Sequence, residues 1–116
     1  MSLIQKQQSI SVNNAPADFS HTKTLVQLSK ELGVEKIYSG VAAQLNNFLN
    51  FIGCDWNNAQ KQDVVELICN NYANLTAEQW KLFYVKAKTG VFGDIYGKLS
   101  PILLMKWINT YAAECD

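Results

Sequence analysis

From Ser20 onward the apolar residues of this chain recur three and four positions apart, and nowhere do they alternate for the length of a strand. A chain patterned this way buries its apolar stripes by packing helices on one another, which predicts an all-α domain. Stop signals divide the pattern into five short helices. Leu25, Leu28 and Leu32 form a first stripe closed by Gly33. Val41, Ala42, Leu45, Phe48, Leu49 and Ile52 share one face of a second helix, opposite Asn46, Asn47 and Asn50, and that helix ends at Gly53. A third, capped by Asn57 or Asn58, turns Val64, Val65, Ile68, Cys69 and Tyr72 inward until Asn74 and Leu75 break it. Thr76 and Gln79 match a capping box that opens a fourth helix, which presents Trp80, Phe83, Tyr84 and Ala87 and stops at Gly90. Ser100 and Pro101 cap and start the fifth. Leu103, Leu104, Met105, Trp107, Ile108, Tyr111 and Ala112 cover so much of that last helix that it is expected at the centre of a compact bundle.

The chain has 116 residues, 48% of them hydrophobic. That length suits one domain able to bury roughly two-thirds of its unfolded surface without a disulfide or metal. Residues 18–116 are expected to form this single helical domain. Residues 1–17 are rich in Gln, Ser and Asn, with only Leu3, Ile4, Ile10 and Val12 scattered among them, and are expected to be a flexible N-terminal arm.

Ten lysines balance ten acidic residues, and there is no arginine. Without the guanidinium fork that reads guanine and phosphate in two-point contacts, sequence-specific duplex recognition is disfavoured. The charge is not evenly spread, however. Between residues 76 and 111, Lys81, Lys86, Lys88, Lys98 and Lys106 face only Glu78 and Asp94. Cys54, Cys69 and Cys115 fit neither a C-x-x-C pair nor an even disulfide framework, so they are expected as free thiols in a reducing cytoplasm. No stretch has the pattern of a signal peptide or the length of a membrane span.

Chemistry has few footholds. His21 is the only histidine, and Asp18-Phe19-Ser20-His21 reads as a helix cap. The cysteines have no assignable base, and Asp55, Asp63 and Glu66 make no recognisable acid and base pair. No enzyme activity, cofactor or metal is therefore expected. The one stretch without helical logic runs from Thr89 to Ser100, where Gly90, Gly93 and Gly97 interleave with Phe92 and Tyr96. Such a loop can cradle a phosphate or stack a base, although Phe92 and Leu99 stand where a Walker A motif needs Gly and Ser or Thr. The structural alternative is a linker that uses glycine for its turns and its rings as core plugs. Lys81 and Lys88, on one helix face, and Lys98 flank the loop. Together with Gly90, Phe92, Gly93 and Tyr96 they form the candidate surface for a partner or nucleic acid. The cluster of Trp80, Phe83, Tyr84, Phe92, Tyr96, Trp107 and Tyr111 is too apolar to leave outside a monomer, and any part left exposed would mark a partner surface.

Leu75-Thr76-Ala77-Glu78, the Gly90-x-Phe92-Gly93-x-x-Tyr96 turn and the closing Trp107-Ile108-x-x-Tyr111 give residues 67–111 a resemblance to small uncharacterised helical proteins of phages and mobile elements. Some of those lie near replication genes, so the resemblance implies an accessory or DNA-handling role. The chain is expected to be a small non-enzymatic adaptor that binds a protein partner or itself. The alternative is a replication-associated module touching single-stranded nucleic acid through its glycine and aromatic loop.

Overall fold

Three helices open on the same local device, in which a Thr or Asn side chain accepts from the backbone N–H three residues on while a Gln side chain accepts in return. The pairs are Thr24 with Gln27, Asn57 with Gln60, and Thr76 with Gln79. A computed structural model describes residues 22–94 and 98–115 of the chain. Among them are five helices and no strand: α1 (Leu25–Leu32), α2 (Val34–Ile52), α3 (Asn58–Asn71), α4 (Ala77–Lys88) and α5 (Pro101–Cys115). The all-α bundle expected from periodicity is thus the observed fold. Residues 1–17, Tyr96 and the cap expected at residues 18–21 lie outside the described residues.

Gly33 alone joins α1 to α2, at φ 99° and ψ 147°, a region essentially reserved for glycine. Because this one residue both ends α1 and starts α2, α2 opens at Val34, well before Val41, the first position of its inward stripe. Thr24 and Thr76 pair as an isolated antiparallel bridge. Around it the Leu25 N–H donates to the Leu75 carbonyl at 3.2 Å, Val26 N–H to the Ala73 carbonyl at 3.0 Å and Ala77 N–H to the Lys23 carbonyl at 3.1 Å. First-turn N–H groups that a helix cannot satisfy internally are thereby partnered, and the N-termini of α1 and α4 are clipped together. α3 stops at Asn71 with Tyr72 as its C-cap, earlier than the break expected at Asn74 and Leu75, and the clip draws the Leu75 side chain into the core.

The centre of the bundle is α2, which packs against α1, α3 and α4. Val41, Leu45, Phe48 and Leu49 supply its buried face. This corrects the expectation that α5 would be central. A count of apolar residues around a wheel does not say how many neighbours arrive: α5 buries Leu104, Trp107, Ile108 and Tyr111 but leaves Ile102 and Leu103 outside. By contrast α4 turns Trp80, Phe83, Tyr84 and Ala87 inward, each buried, as its period requires. Trp80, Phe83 and Tyr84 touch one another, and Tyr84 reaches the Phe48 ring at 5.5 Å between centroids.

Candidate functional site

The segment after α4 is held to the body at both ends. Thr89 Oγ1 donates to the Val85 and Lys86 carbonyls, and the Val91 N–H donates back to the Lys86 carbonyl at 3.0 Å, closing the helix. Phe92 then folds inward, with its ring 5.2 Å from Phe83, 5.8 Å from Trp107 in a stacked arrangement and 6.2 Å from Tyr111 edge-on. Such contacts add to simple burial, and they commit the ring to the core side of the linker. At the far end Leu99 is buried, and its carbonyl accepts from Trp56 Nε1 at 2.8 Å and from Cys54 Sγ at 3.4 Å. A loop between α2 and α3 therefore grips the entrance to α5, whose first turn is capped by Ser100 Oγ accepting from the Leu103 N–H.

Around this linker Lys81, Lys88 and Lys98 are exposed. Lys88 Nζ stands 5.2 Å above the Phe51 ring, itself an exposed aromatic. Lys88 also shares a shallow pocket of about 340 Å³ with Gly90, Gly93 and Asp94. Lys81 lies apart from that pocket, beside Glu78, Leu82 and Val85 on the outer face of α4. Lys86, on another side of α4, turns toward α5 with its Nζ 5.5 Å over the Tyr111 ring. The candidate residues are thus split: Lys88, Gly90 and Gly93 come together, Phe92 packs inward, and Lys81 looks elsewhere.

A second feature has no counterpart in the sequence reading. Between α3 and α5 runs an apolar groove of about 400 Å³, walled on one side by Val64 and Leu67 and on the other by Pro101, Ile102 and Met105. Tyr72 closes one end by donating its hydroxyl to Asn109 Oδ1 at 3.0 Å. Ile102 is 72% exposed and Leu67 43% exposed. An isoleucine left in water to that extent loses most of the roughly 1.5–3 kcal/mol that burying such a side chain provides. Asp63 and Lys106 line the same groove from opposite walls, both exposed. The signal for this site is an apolar residue off its helix's inward stripe, as Leu67 is beside Ile68 and Ile102 before Leu104.

Cys54 is buried against Leu99, and burial pushes the Cys69 thiol above its ordinary pKa, away from the reactive thiolate. Burial also holds the Tyr84 hydroxyl well above the usual tyrosine range. It raises Tyr111 to about 12, with Cys115 and Glu114 contributing. Among the described residues no group of three or more His, Cys, Asp or Glu side chains could hold a metal ion, and no helix is long and apolar enough to cross a membrane. Compared with family models, curated proteins and solved structures, the chain matches none.

Proposed function

We propose that this protein is a small adaptor that works by binding rather than by catalysis, and that the groove between α3 and α5 is its contact surface for another protein chain. The observation that carries this reading is Ile102, the most exposed of the large hydrophobic side chains among the described residues, standing on the wall of an apolar groove. Paired helices with an open seam between them are a common receptor for one apolar face of a partner. Leu67, Ile102 and Met105 offer the anchors and Asp63 and Lys106 a polar rim, the arrangement that concentrates binding energy at the middle of an interface. Three free cysteines suit a reducing cytoplasm.

The alternative, contact with single-stranded nucleic acid, draws on the resemblance to phage and mobile-element proteins and on the exposed Lys81, Lys88 and Lys98. It receives less from the linker, because Phe92 is spent on Phe83, Trp107 and Tyr111 instead of standing free for a base.

The experiment is site-specific photocross-linking in cells that make the full chain. A photoreactive residue at position 102 should join the chain to another polypeptide, and Leu67→Lys in the same molecule should abolish the product. The same probe at Asn46, on the exposed polar face of α2, should give none. Cross-linking from neither position, or equally from both, would overturn the groove as the contact surface. Retention on single-stranded DNA at low salt that Lys88→Ala and Lys98→Ala reduce would favour the alternative.

A further inference from the structure

We infer that the occupant of the α3/α5 groove is a second copy of this chain, related to the first by a two-fold axis passing between Asp63 and Lys106. The inference rests on the groove being a contact surface. Asp63 and Lys106 stand on opposite walls of that groove, both exposed, and neither has an ion-pair partner among the described residues. A partner of unrelated sequence would need its own matching charges. A second copy brings them already placed, because an isologous interface sets each residue against its counterpart. An axis midway between the two walls lays the Asp63 carboxylate of one copy on the Lys106 ammonium of the other, and repeats the contact on the far side of the axis.

The same operation brings the apolar walls together. Ile102 projects from the α5 side of each groove, and its partner's Leu67, on the α3 side, offers the apolar surface it lacks in the monomer. Nothing in the overall charge opposes the pairing, since ten lysines balance ten acids and two copies carry no net mutual repulsion. The charges fix register and orientation, while the removal of Ile102 and Leu67 from water supplies the attraction.

Sedimentation equilibrium on the full chain, up to about 500 µM at low salt, tests this, with circular dichroism and melting temperature confirming that each variant folds. The wild type should dimerise. Ile102→Asp should weaken the dimer by at least about tenfold. Asp63→Lys and Lys106→Asp should each weaken it by about threefold or more, and the double exchange Asp63→Lys with Lys106→Asp should restore the wild-type constant to within about a factor of two, because the pair is then reversed but intact. A wild type that stays monomeric throughout overturns the second copy as occupant and leaves the groove itself to be judged by the cross-link from position 102. A dimer indifferent to Ile102→Asp places the interface elsewhere. A double exchange no better than the worse single variant overturns the two-fold pairing.

Discussion

The linker before α5 and the groove beside it are built from the same kinds of residue, yet they dispose of them in opposite ways. In the linker Phe92 and Leu99 are drawn into the body, one onto three rings and the other beneath Trp56 and Cys54. In the groove Ile102, only three residues beyond Leu99, is left standing in water. A glycine-rich aromatic loop looks like a binding site by composition, and the first turn of a capped helix looks like scaffold. On the reading proposed above, burial reverses the two impressions. Apolar side chains whose contacts are complete hold the fold, whereas those whose contacts are missing are available to a partner.

Trp107 is buried and stacks on Phe92, so Trp107→Ala should destabilise the fold by about 3–5 kcal/mol in chemical denaturation. A loss below about 1 kcal/mol would show that the linker is not anchored by its rings and would return Phe92 to the binding surface.

The two buried tyrosines carry the next effect, and they differ in one hydrogen bond. Tyr111 donates to the Gln79 carbonyl at 2.8 Å, tying α5 to the first turn of α4, whereas the buried Tyr84 hydroxyl has no partner. Tyr111→Phe should therefore cost about 1 kcal/mol, and Tyr84→Phe, which removes an unpaired buried hydroxyl, should raise the melting temperature. Both hydroxyls are raised by burial, Tyr111 to about 12. Below pH 10 both the folded and unfolded states keep these protons; above it the unfolded chain releases them first, so stability should fall as pH climbs from 10 toward 12. Tyr111→Phe should flatten that fall in a pH series of melts. An unchanged slope would mean that the α4–α5 tie opens in alkali before the phenol titrates.

Much of this fold was legible because local chemistry and long-range packing agree. The inward stripes of α2, α3 and α4 are set by period, as are Leu25 and Leu28 of α1, whose expected third member Leu32 is instead exposed, and the Thr76–Gln79 box and Ser100–Pro101 start are set by backbone donors that need a partner. Three things were not legible, for three reasons. The Thr24–Thr76 clip joins residues 52 positions apart by main-chain bonds, which no side-chain pattern records. The centrality of α2 depends on which helices arrive at it rather than on its own wheel. The groove is visible only as an incomplete contact, and a sequence lists residues without saying which of their neighbours are missing.

Gly93 sits in the linker at φ 139°, where a side chain is strained, while Gly40 lies within α2 with open space where a Cβ would stand. Gly93→Ala should lose about 1 kcal/mol, and Gly40→Ala should gain about 0.5–1 kcal/mol through helix propensity. Two changes of the same sign would show that α2 or the linker has a backbone other than the one described.

The smallest effects on stability separate the two regions most directly. Ile102 and Lys98 are both exposed, so Ile102→Ala and Lys98→Ala should each leave the unfolding free energy within about 0.5 kcal/mol of wild type. With folding held constant, association becomes the readout. If contact is made by unfinished apolar surface, Ile102→Ala weakens association and keeps most of the effect in high salt, where apolar contacts persist, while Lys98→Ala changes nothing. If contact is made by the linker, the order inverts: Lys98→Ala weakens retention on single strands and lowers its salt slope by a little under one, and Ile102→Ala is silent. A variant pair that behaves alike in both assays would mean that neither the groove nor the linker is where this protein meets its partner.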